Sequence, residues 1–336
     1  MKEPEINRSL KHLNSFGLEV KTARFSEPGT EEELSDFFKR HYQGEPLLIV
    51  GEGSNTLFTK DYEGTVLHPD IRGFEVLNES GDEVLVRAGA GENWDSFVER
   101  AVEQTWYGAE NLSLIPGSVG SVPVQNIGAY GVEAAEIIHS VEYYNPAEDR
   151  FGSIASEDCR FGYRSSFFKS EEGNRLIITR VIFRLGKKEK YVLDYGDVRK
   201  RFEGLTVRNL KSLRETIISI RREKLPDPAV TGNAGSFFKN PVIPALHYQR
   251  LLADWPGIPG YHQSDGSVKV PAAWLIQQCG WKGYRKGDAG CWPSQPLVLV
   301  NYGQASGKAL LELSLEIAES VNRQFDIALE REVRVV

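Results

Sequence analysis

The sequence predicts an α+β protein of two or three domains, and three observations carry that expectation. Strand-like and helical hydrophobic patterns alternate up to residue 224, without the regular spacing of a doubly wound sheet. The chain has 336 residues with 40% hydrophobic side chains, more than one hydrophobic core usually accommodates. The run Leu225-Pro226-Asp227-Pro228 then breaks the pattern, and a Gly/Pro-rich region follows to about residue 305.

The elements follow in order. Thr30-x-x-Glu33 is a capping box, and Leu34, Phe37, Phe38 and His41 recur behind it at helical spacing. A strand, Leu47 to Val50, runs into the turn Gly51-Glu52-Gly53-Ser54-Asn55. A second strand, Val84 to Ala88, precedes Gly89-Ala90-Gly91. The helix that begins at Asn93 buries Trp94, Phe97, Val98 and Ala101, and Gly108 is expected to close it. Val141 to Tyr144 and Leu176 to Phe183 read as further strands. A helix is expected over about 208–224, with Leu210, Leu213, Ile217 and Ile220 on one face. After the Gly/Pro-rich region a last amphipathic helix carries Leu310, Leu313, Ile317 and Val321 and leads to a short tail.

Composition narrows the function classes. Acidic residues number 47 and basic ones 40, a net charge of −7, so the chain has little to offer a nucleic-acid backbone. The longest apolar runs, Leu47–Val50 and Leu297–Val300, are strand-sized, and the charged N-terminus lacks the apolar core of a signal peptide. A soluble, cytoplasmic protein without a membrane partner is expected. Cys159, Cys279 and Cys291 are odd in number and widely spaced, which argues against a disulfide framework. No His or Cys spacing supports a metal site.

Glycine-rich segments hold the functional signal. Gly51-Glu52-Gly53-Ser54-Asn55 follows a strand directly, so it forms either an anion-binding nest of backbone amides or a tight turn needing positive φ. Ile115-Pro116-Gly117-Ser118-Val119-Gly120-Ser121 continues into Val122-Pro123-Val124-Gln125-Asn126-Ile127-Gly128-Ala129-Tyr130-Gly131. With four glycines and two prolines it describes backbone wrapped closely around something flat or charged, not a helix or strand. Two nucleotide motifs fail. Gly89-Ala-Gly91 lacks the third glycine of the dinucleotide fingerprint, Trp94 standing in its place. Gly303 to Ala309 is one residue short of a P-loop and lacks Ser/Thr after Lys308. Gly232-Asn-Ala-Gly-Ser236-Phe-Phe-Lys239-Asn240-Pro241 gathers a hydroxyl, an amine and an amide around two aromatics. No nucleophile elbow surrounds Ser236, so its hydroxyl is either structural or a proton donor. Cys159-Arg-Phe-Gly-Tyr-Arg164 and the tail through Arg334 are polar stretches that read either as ion-paired surface or as part of a site.

In order along the chain, GEGSN, IPGSVGSVPVQNIGAYG, CRFGYRSSFFK, LDYGDV, RREKLPDP, GNAGSFFKNP and a terminal EVR resemble the UDP-N-acetylenolpyruvoylglucosamine reductase family over nearly the whole length. LDYGDV, with Tyr195, resembles the extra loop of its type I branch. The resemblance implies a two-part FAD-binding fold of the vanillyl-alcohol-oxidase (PCMH) type plus a smaller α+β substrate-binding domain. The implied division is 1–72, joined by the tail 326–336, then 73–224, then 225–325. It implies non-covalent FAD, NADPH as hydride donor, UDP-N-acetylenolpyruvoylglucosamine as substrate, and a monomer.

Residue by residue, the resemblance places Val50, Gly51, Glu52, Gly53, Ser54 and Asn55 at the FAD. Pro116, Gly117, Ser118, Gly120, Ser121, Val122, Gln125, Asn126, Ile127, Gly128, Gly131 and Ile178 join them. It makes Arg164, Ser236 and Glu332 catalytic. It makes Tyr163, Tyr195, Arg221, Lys224, Lys239, Asn240, Lys269, Lys282 and Gln295 substrate contacts. Arg331 stands where the family often carries proline, so Glu330 is a competing carboxylate. An FAD-dependent oxidase of the same fold, acting on another small substrate, is the alternative; GNAGSFFKNP speaks against it.

Overall fold

The computed structural model describes residues 3–336. The chain divides into two compact units, each discontinuous in sequence. The first holds the segment up to Arg8, Thr22–Glu52 and Glu63–Arg221; the second holds Ser9–Lys21, Gly53–Tyr62 and Arg222–Val336.

The first unit contains two main sheets. In the four-stranded one the spatial order is Glu5–Ser9, Lys21–Ser26, Tyr62–Leu67, Leu47–Ile49. The last two strands are parallel, with Leu48 opposite Val66. Helix α1 (Glu31–Arg40) starts where Thr30 Oγ1 accepts from the Glu33 N–H at 3.1 Å, while the Glu33 carboxylate accepts from the Gly29 N–H at 2.8 Å. It buries Leu34 and Phe37 with Leu67, Ile71, Tyr144 and Ile177.

The second sheet is antiparallel: Arg150–Ala155, Ile138–Asn145, Ile177–Gly186, Glu83–Gly89, Phe74–Ser80. Its three central strands match the three that the hydrophobic pattern predicts here, the one expected from Leu176 starting at Ile177. The edge strand Phe74–Ser80 is exposed along almost all its length, so it has no apolar alternation to read. Helix α2 (Trp94–Glu103) lays Trp94, Phe97, Val98 and Ala101 into this core, with the Phe97 and Phe183 rings 4.5 Å apart. Burying each such side chain stabilises the fold by roughly 1.5–3 kcal/mol.

Gly108 does not close α2. The helix ends at Glu103, the Thr105 N–H donates to the Val102 carbonyl, and the Trp106 N–H to that of Ala101. That is a Schellman ending with Thr105, at φ 59°, in the left-handed position that glycine usually takes. Helix α3 (Gly196–Glu203) and helix α4 (Leu210–Lys224) share a smaller core of Val198, Phe202, Leu213, Ile217 and Ile220. Helix α4 starts at Leu210 because Asn209 is its cap: Asn209 Oδ1 accepts from the Ser212 N–H at 2.8 Å.

The second unit has an antiparallel sheet ordered Gly232–Ser236, Val298–Asn301, Ala289–Cys291, Arg285–Lys286, and a three-stranded one ordered Val242–Ile243, Val268–Lys269, Tyr261–His262. Its helices are α5 (Ala245–Asp254), α6 (Ala272–Gln278) and α7 (Gly307–Phe325). The predicted stripe Leu310, Leu313, Ile317, Val321 is buried, and α7 packs on the strands 289–291 and 298–301. Val298–Asn301 is buried throughout, which explains its continuous apolar run. The tail strand Arg334–Val335 runs parallel to Thr56–Leu57. No helix among the described residues is long and apolar enough to cross a membrane.

Candidate active site

In the first unit the N-terminal turn of α2 is the anchor on which the glycine-rich stretch hangs. The Trp94 N–H donates to the Gly117 carbonyl at 3.0 Å and its indole Nε1–H to that of Leu112 at 2.9 Å. Val119 N–H reaches Glu92 O at 2.8 Å and Gly120 N–H reaches Ala90 O at 2.9 Å. The turn after the strand Leu47–Ile49 meets this stretch at Gly51, where a Cβ would stand 2.4 Å from Ser118 Oγ. A side chain at Gly51 would turn the Ser118 hydroxyl out of its present position. Glu52 is held by Asn93 Nδ2 at 2.8 Å, and Ser121 Oγ donates to Ser118 O at 2.6 Å.

The backbone N–H groups of Gly51 and Glu52 donate to no acceptor among the described residues, and the same holds for Gly53 and Ser54 in the second unit. Backbone donors left unpaired near a tight turn are a donor set for an anionic oxygen.

Other expected cofactor residues have inward roles. Val122, Ile127 and Ile178 are buried in the apolar core, and Val50 is buried as well. Asn126, at φ 44°, donates from Nδ2 to Glu133 Oε2 at 2.7 Å and to Gly162 O at 3.2 Å, and its Oδ1 accepts from the Ala135 N–H. Its side chain therefore braces the stretch from behind.

Arg164, itself left-handed at φ 54°, folds back onto the same stretch. Its Nη2 donates to Gly128 O at 2.7 Å and its Nη1 to Asn126 O at 3.4 Å, while the guanidinium lies 5.5 Å from the Tyr163 ring. Tyr130 meets Tyr195 edge to face at 5.5 Å. Burial lowers the Arg221 guanidinium below its ordinary pKa, against Tyr130 and Asp95, and its Nε is buried without a partner.

In the second unit strand pairing brings Ser236 and Glu332 onto adjoining segments. The Glu332 N–H donates to Phe237 O at 2.9 Å, the Lys239 N–H to Glu330 O at 2.9 Å, and Phe238 bridges Arg331. A bulge at Ala234–Gly235 carries Ser236 opposite Val298 instead of the next residue in register, with Gly235 at φ 67°. Asn55 Nδ2 donates to Glu332 O at 3.1 Å and Arg334 N–H to Asn55 O at 3.0 Å, so the tail backbone is fixed on both edges. Arg331 is thus held by the ladder without proline's fixed φ. The competing carboxylate, Glu330, is ion-paired to Lys239 Nζ at 2.5 Å.

The remaining substrate candidates of this unit are spread over several elements. Asn240 Oδ1 accepts the Ala272 N–H at the start of α6, Lys269 sits on a strand facing Val242 and Tyr261, and Lys224 is the last residue of α4. Lys282 is exposed in a turn, whereas Gln295 Oε1 is buried and unpaired. Burial pushes the Cys159 and Cys291 thiols up to about 12, which leaves neither as a nucleophile. No metal-ligand cluster occurs among the described residues.

Three positions that meet at the start of the glycine-rich stretch gave no signal in the sequence. Asp95, Arg214 and the left-handed Leu114 come together only through folding, 119 residues separating the ion pair. The one available hint was an acidic residue in the first turn of α2.

Residues 22–149 match the FAD binding domain family, and residues 227–336 match the C-terminal domain of UDP-N-acetylenolpyruvoylglucosamine reductase. A UDP-N-acetylenolpyruvoylglucosamine reductase of Bacteroides fragilis is 46% identical over 332 residues, 99% of this chain and all of that one. One from Chromobacterium violaceum is 45% identical, covering 96% of each. The crystal structure of a UDP-N-acetylenolpyruvylglucosamine reductase from Thermus caldophilus has the same fold, with a TM-score of 0.68, 24% identity, and 99% and 98% of the two chains covered. An α+β fold with an FAD-binding domain and this C-terminal domain leaves one conclusion: the chain belongs to the UDP-N-acetylenolpyruvoylglucosamine reductase family.

Proposed function

We propose that the protein reduces the enolpyruvyl ether of UDP-N-acetylenolpyruvoylglucosamine to UDP-N-acetylmuramate for peptidoglycan, with non-covalent FAD and with NADPH as donor. Full-length similarity to reductases of that name supports the reaction. The observation that carries the residue roles is the ladder setting segment 236–239 against 330–332.

The unpaired amides of Gly51 and Glu52 and the hydroxyl of Ser118 fit the pyrophosphate of FAD, and the buried Ile127 and Ile178 fit an apolar ring system. Bound FAD would supply the hydride relay from NADPH to C3 of the enolpyruvyl group. Everything else falls to the chain's own residues. Hydride arrival at C3 drives negative charge toward C2 and its carboxylate. Arg164, whose guanidinium is pinned by two carbonyls, offers a fixed and permanently charged fork to that carboxylate. Ser236 Oγ–H gives its proton to C2, completing the addition of hydride and proton across the double bond. A neutral hydroxyl is a weak acid, and Glu332 and Lys239 on the same ladder polarise and orient it.

Arg221, Lys224, Lys269 and Lys282 offset the diphosphate charge; the buried Arg221 Nε–H is a donor suited to a phosphate oxygen, whereas Gln295 Oε1 accepts and suits a hydroxyl or N–H of the substrate. In this reading residues 1–72 with 326–336, 73–224 and 225–325 act as two flavin parts and a substrate part. The protein works as a cytoplasmic monomer.

The test is a visible spectrum of the purified protein, followed by anaerobic NADPH and then the enolpyruvyl nucleotide. The flavin bands are expected, bleached by NADPH and restored by the nucleotide. Bleaching without restoration would favour an oxidase of the same fold, and absence of flavin even after FAD is added would overturn the proposal.

A further inference from the structure

We infer that the ion pair of Asp95 with Arg214 is a positioning device, setting Leu114 and the start of the cofactor-wrapping stretch 115–131 in register with helix α4; this rests on the flavin reading above. Asp95 lies in the first turn of α2 and serves two masters through one carboxylate. Its Oδ1 accepts from Arg214 Nη1 at 2.7 Å and from the Leu114 N–H at 2.5 Å, and its Oδ2 accepts from Arg214 Nη2 at 3.0 Å. The Arg214 side chain is 8% exposed, with Glu99 a more distant partner at 3.7 Å.

Two features separate this pair from a merely stabilising one. Leu114 holds φ 58°, a left-handed conformation that costs a leucine about 1–2 kcal/mol, and Asp95 grips its amide. The next three residues are Ile115-Pro116-Gly117, the start of the wrapped stretch. On the other side, Arg221 follows Arg214 by seven residues on α4, hence on the same face, and the Asp95 charge acts on it too. One carboxylate therefore fixes the backbone that would wrap FAD and the helix that presents a cation to the substrate. A largely buried ion pair gains little over apolar packing, and this one in addition fixes the geometry of two segments at once.

Asp95→Asn keeps the shape but turns an amide NH2 toward the guanidinium or toward Leu114. FAD dissociation is measured by quenching of flavin fluorescence on titrating FAD into the apoprotein, and substrate KM and kcat are measured at saturating FAD. The variant is expected to bind FAD about tenfold more weakly or worse, and to raise KM with kcat near the parent value. Arg214→Lys, which keeps the charge and loses the fork, should fall between. Glu45→Gln, which breaks the Arg24–Glu45 pair of the same unit at 2.9 Å, should lower the melting temperature and leave FAD affinity unchanged.

FAD affinity within about twofold of the parent in Asp95→Asn would overturn the inference, whatever its melting temperature. If that variant does not fold, unchanged FAD affinity in Arg214→Lys overturns it equally. A parent chain that binds no FAD sinks the flavin reading itself, and this inference with it.

Discussion

Ser236 owes its direction to its neighbour. Without the bulge at Gly235 the strand register would turn the hydroxyl to the opposite face, because a one-residue shift exchanges the faces of a strand. A Cβ at Gly235 meets no atom within 4 Å, so Gly235→Ala tests the backbone alone. The variant should lose about 1–2 kcal/mol in urea denaturation, the cost of alanine at φ 67°, and should lose turnover as the bulge relaxes. Full stability would mean that the bulge is not held by Gly235. Ser236→Ala keeps the register and removes only the proton. We expect near-parent substrate affinity by equilibrium titration and kcat lowered by about 10²–10⁴, the usual worth of a positioned acid; near-parent turnover would remove Ser236 as the donor. Glu332→Gln should slow reoxidation of the NADPH-reduced enzyme by substrate while leaving its reduction by NADPH nearly intact. Equal loss in both half-reactions would refute a role confined to the second. Glu330, tied to Lys239, makes a useful contrast, since its loss should act on substrate binding through that lysine.

At the scale of elements, α2 shows how function is set by ends more than by middles. Its first turn carries Asn93 to Glu52, Trp94 to Gly117 and Leu112, and Asp95 to Leu114. Its last turn closes on a left-handed threonine. Thr105→Gly should therefore stabilise the protein by about 1 kcal/mol in denaturant titration, since glycine has no Cβ penalty there. A destabilised variant would mean that contacts of the threonine side chain outweigh its strain. The same helix marks what was legible in the sequence. Its apolar face, like those of α1, α4 and α7, followed from 3.6-residue spacing, and the three central strands of the larger sheet followed from their apolar content. The edge strand 74–80 and the two- and three-residue strands beyond residue 241 were not legible, being exposed or too short to show a period, whereas the buried run Leu297–Val300 was. The glycine-rich stretch read correctly as backbone without a long helix or strand, but it holds a 3-10 turn at Val119–Ser121 and a two-residue strand, Gly128–Ala129, paired with Val132–Glu133. Its left-handed residues are in part Leu114, Asn126 and Tyr130, and local rules look for that conformation at glycine. No sequence rule joins Asp95 to Arg214, because helix packing brings them together.

For the whole molecule, acid and neutral stability are governed by different carboxyls of the first unit. Burial opposes ionisation of Asp95, yet the Arg214 fork, the Leu114 amide and the Arg221 charge outweigh it and hold the carboxyl below its ordinary value. Burial likewise opposes ionisation of Glu45, and Thr65, backbone amides and Arg24 overcome it. Both contribute stability above their unfolded pKa values, 3.8 and 4.5, that is lost as pH falls through the lower folded values. Glu110 has the opposite sign. It is 2% exposed, and burial raises its pKa despite hydrogen bonds from its own backbone and from the Gly108 N–H at 2.6 Å. Its contribution is complete below the unfolded value of 4.5 and is lost as pH rises through the higher folded value. At neutral pH the ionisation of this carboxyl therefore works against folding, in the turn leading to the stretch that would wrap the cofactor. Glu110→Gln keeps an acceptor for Gly108 and abolishes the titration. The variant should be more stable than the parent at neutral pH, and the gap should close as pH falls toward 4.5. Because Glu110 belongs to the first unit, hydrogen exchange should register the gain in the amides of α2 and the larger sheet and leave α7 of the second unit unchanged. A gap that does not vary with pH would show that packing at residue 110, not its charge, sets the difference. A gain spread equally over both units would show that they unfold as one.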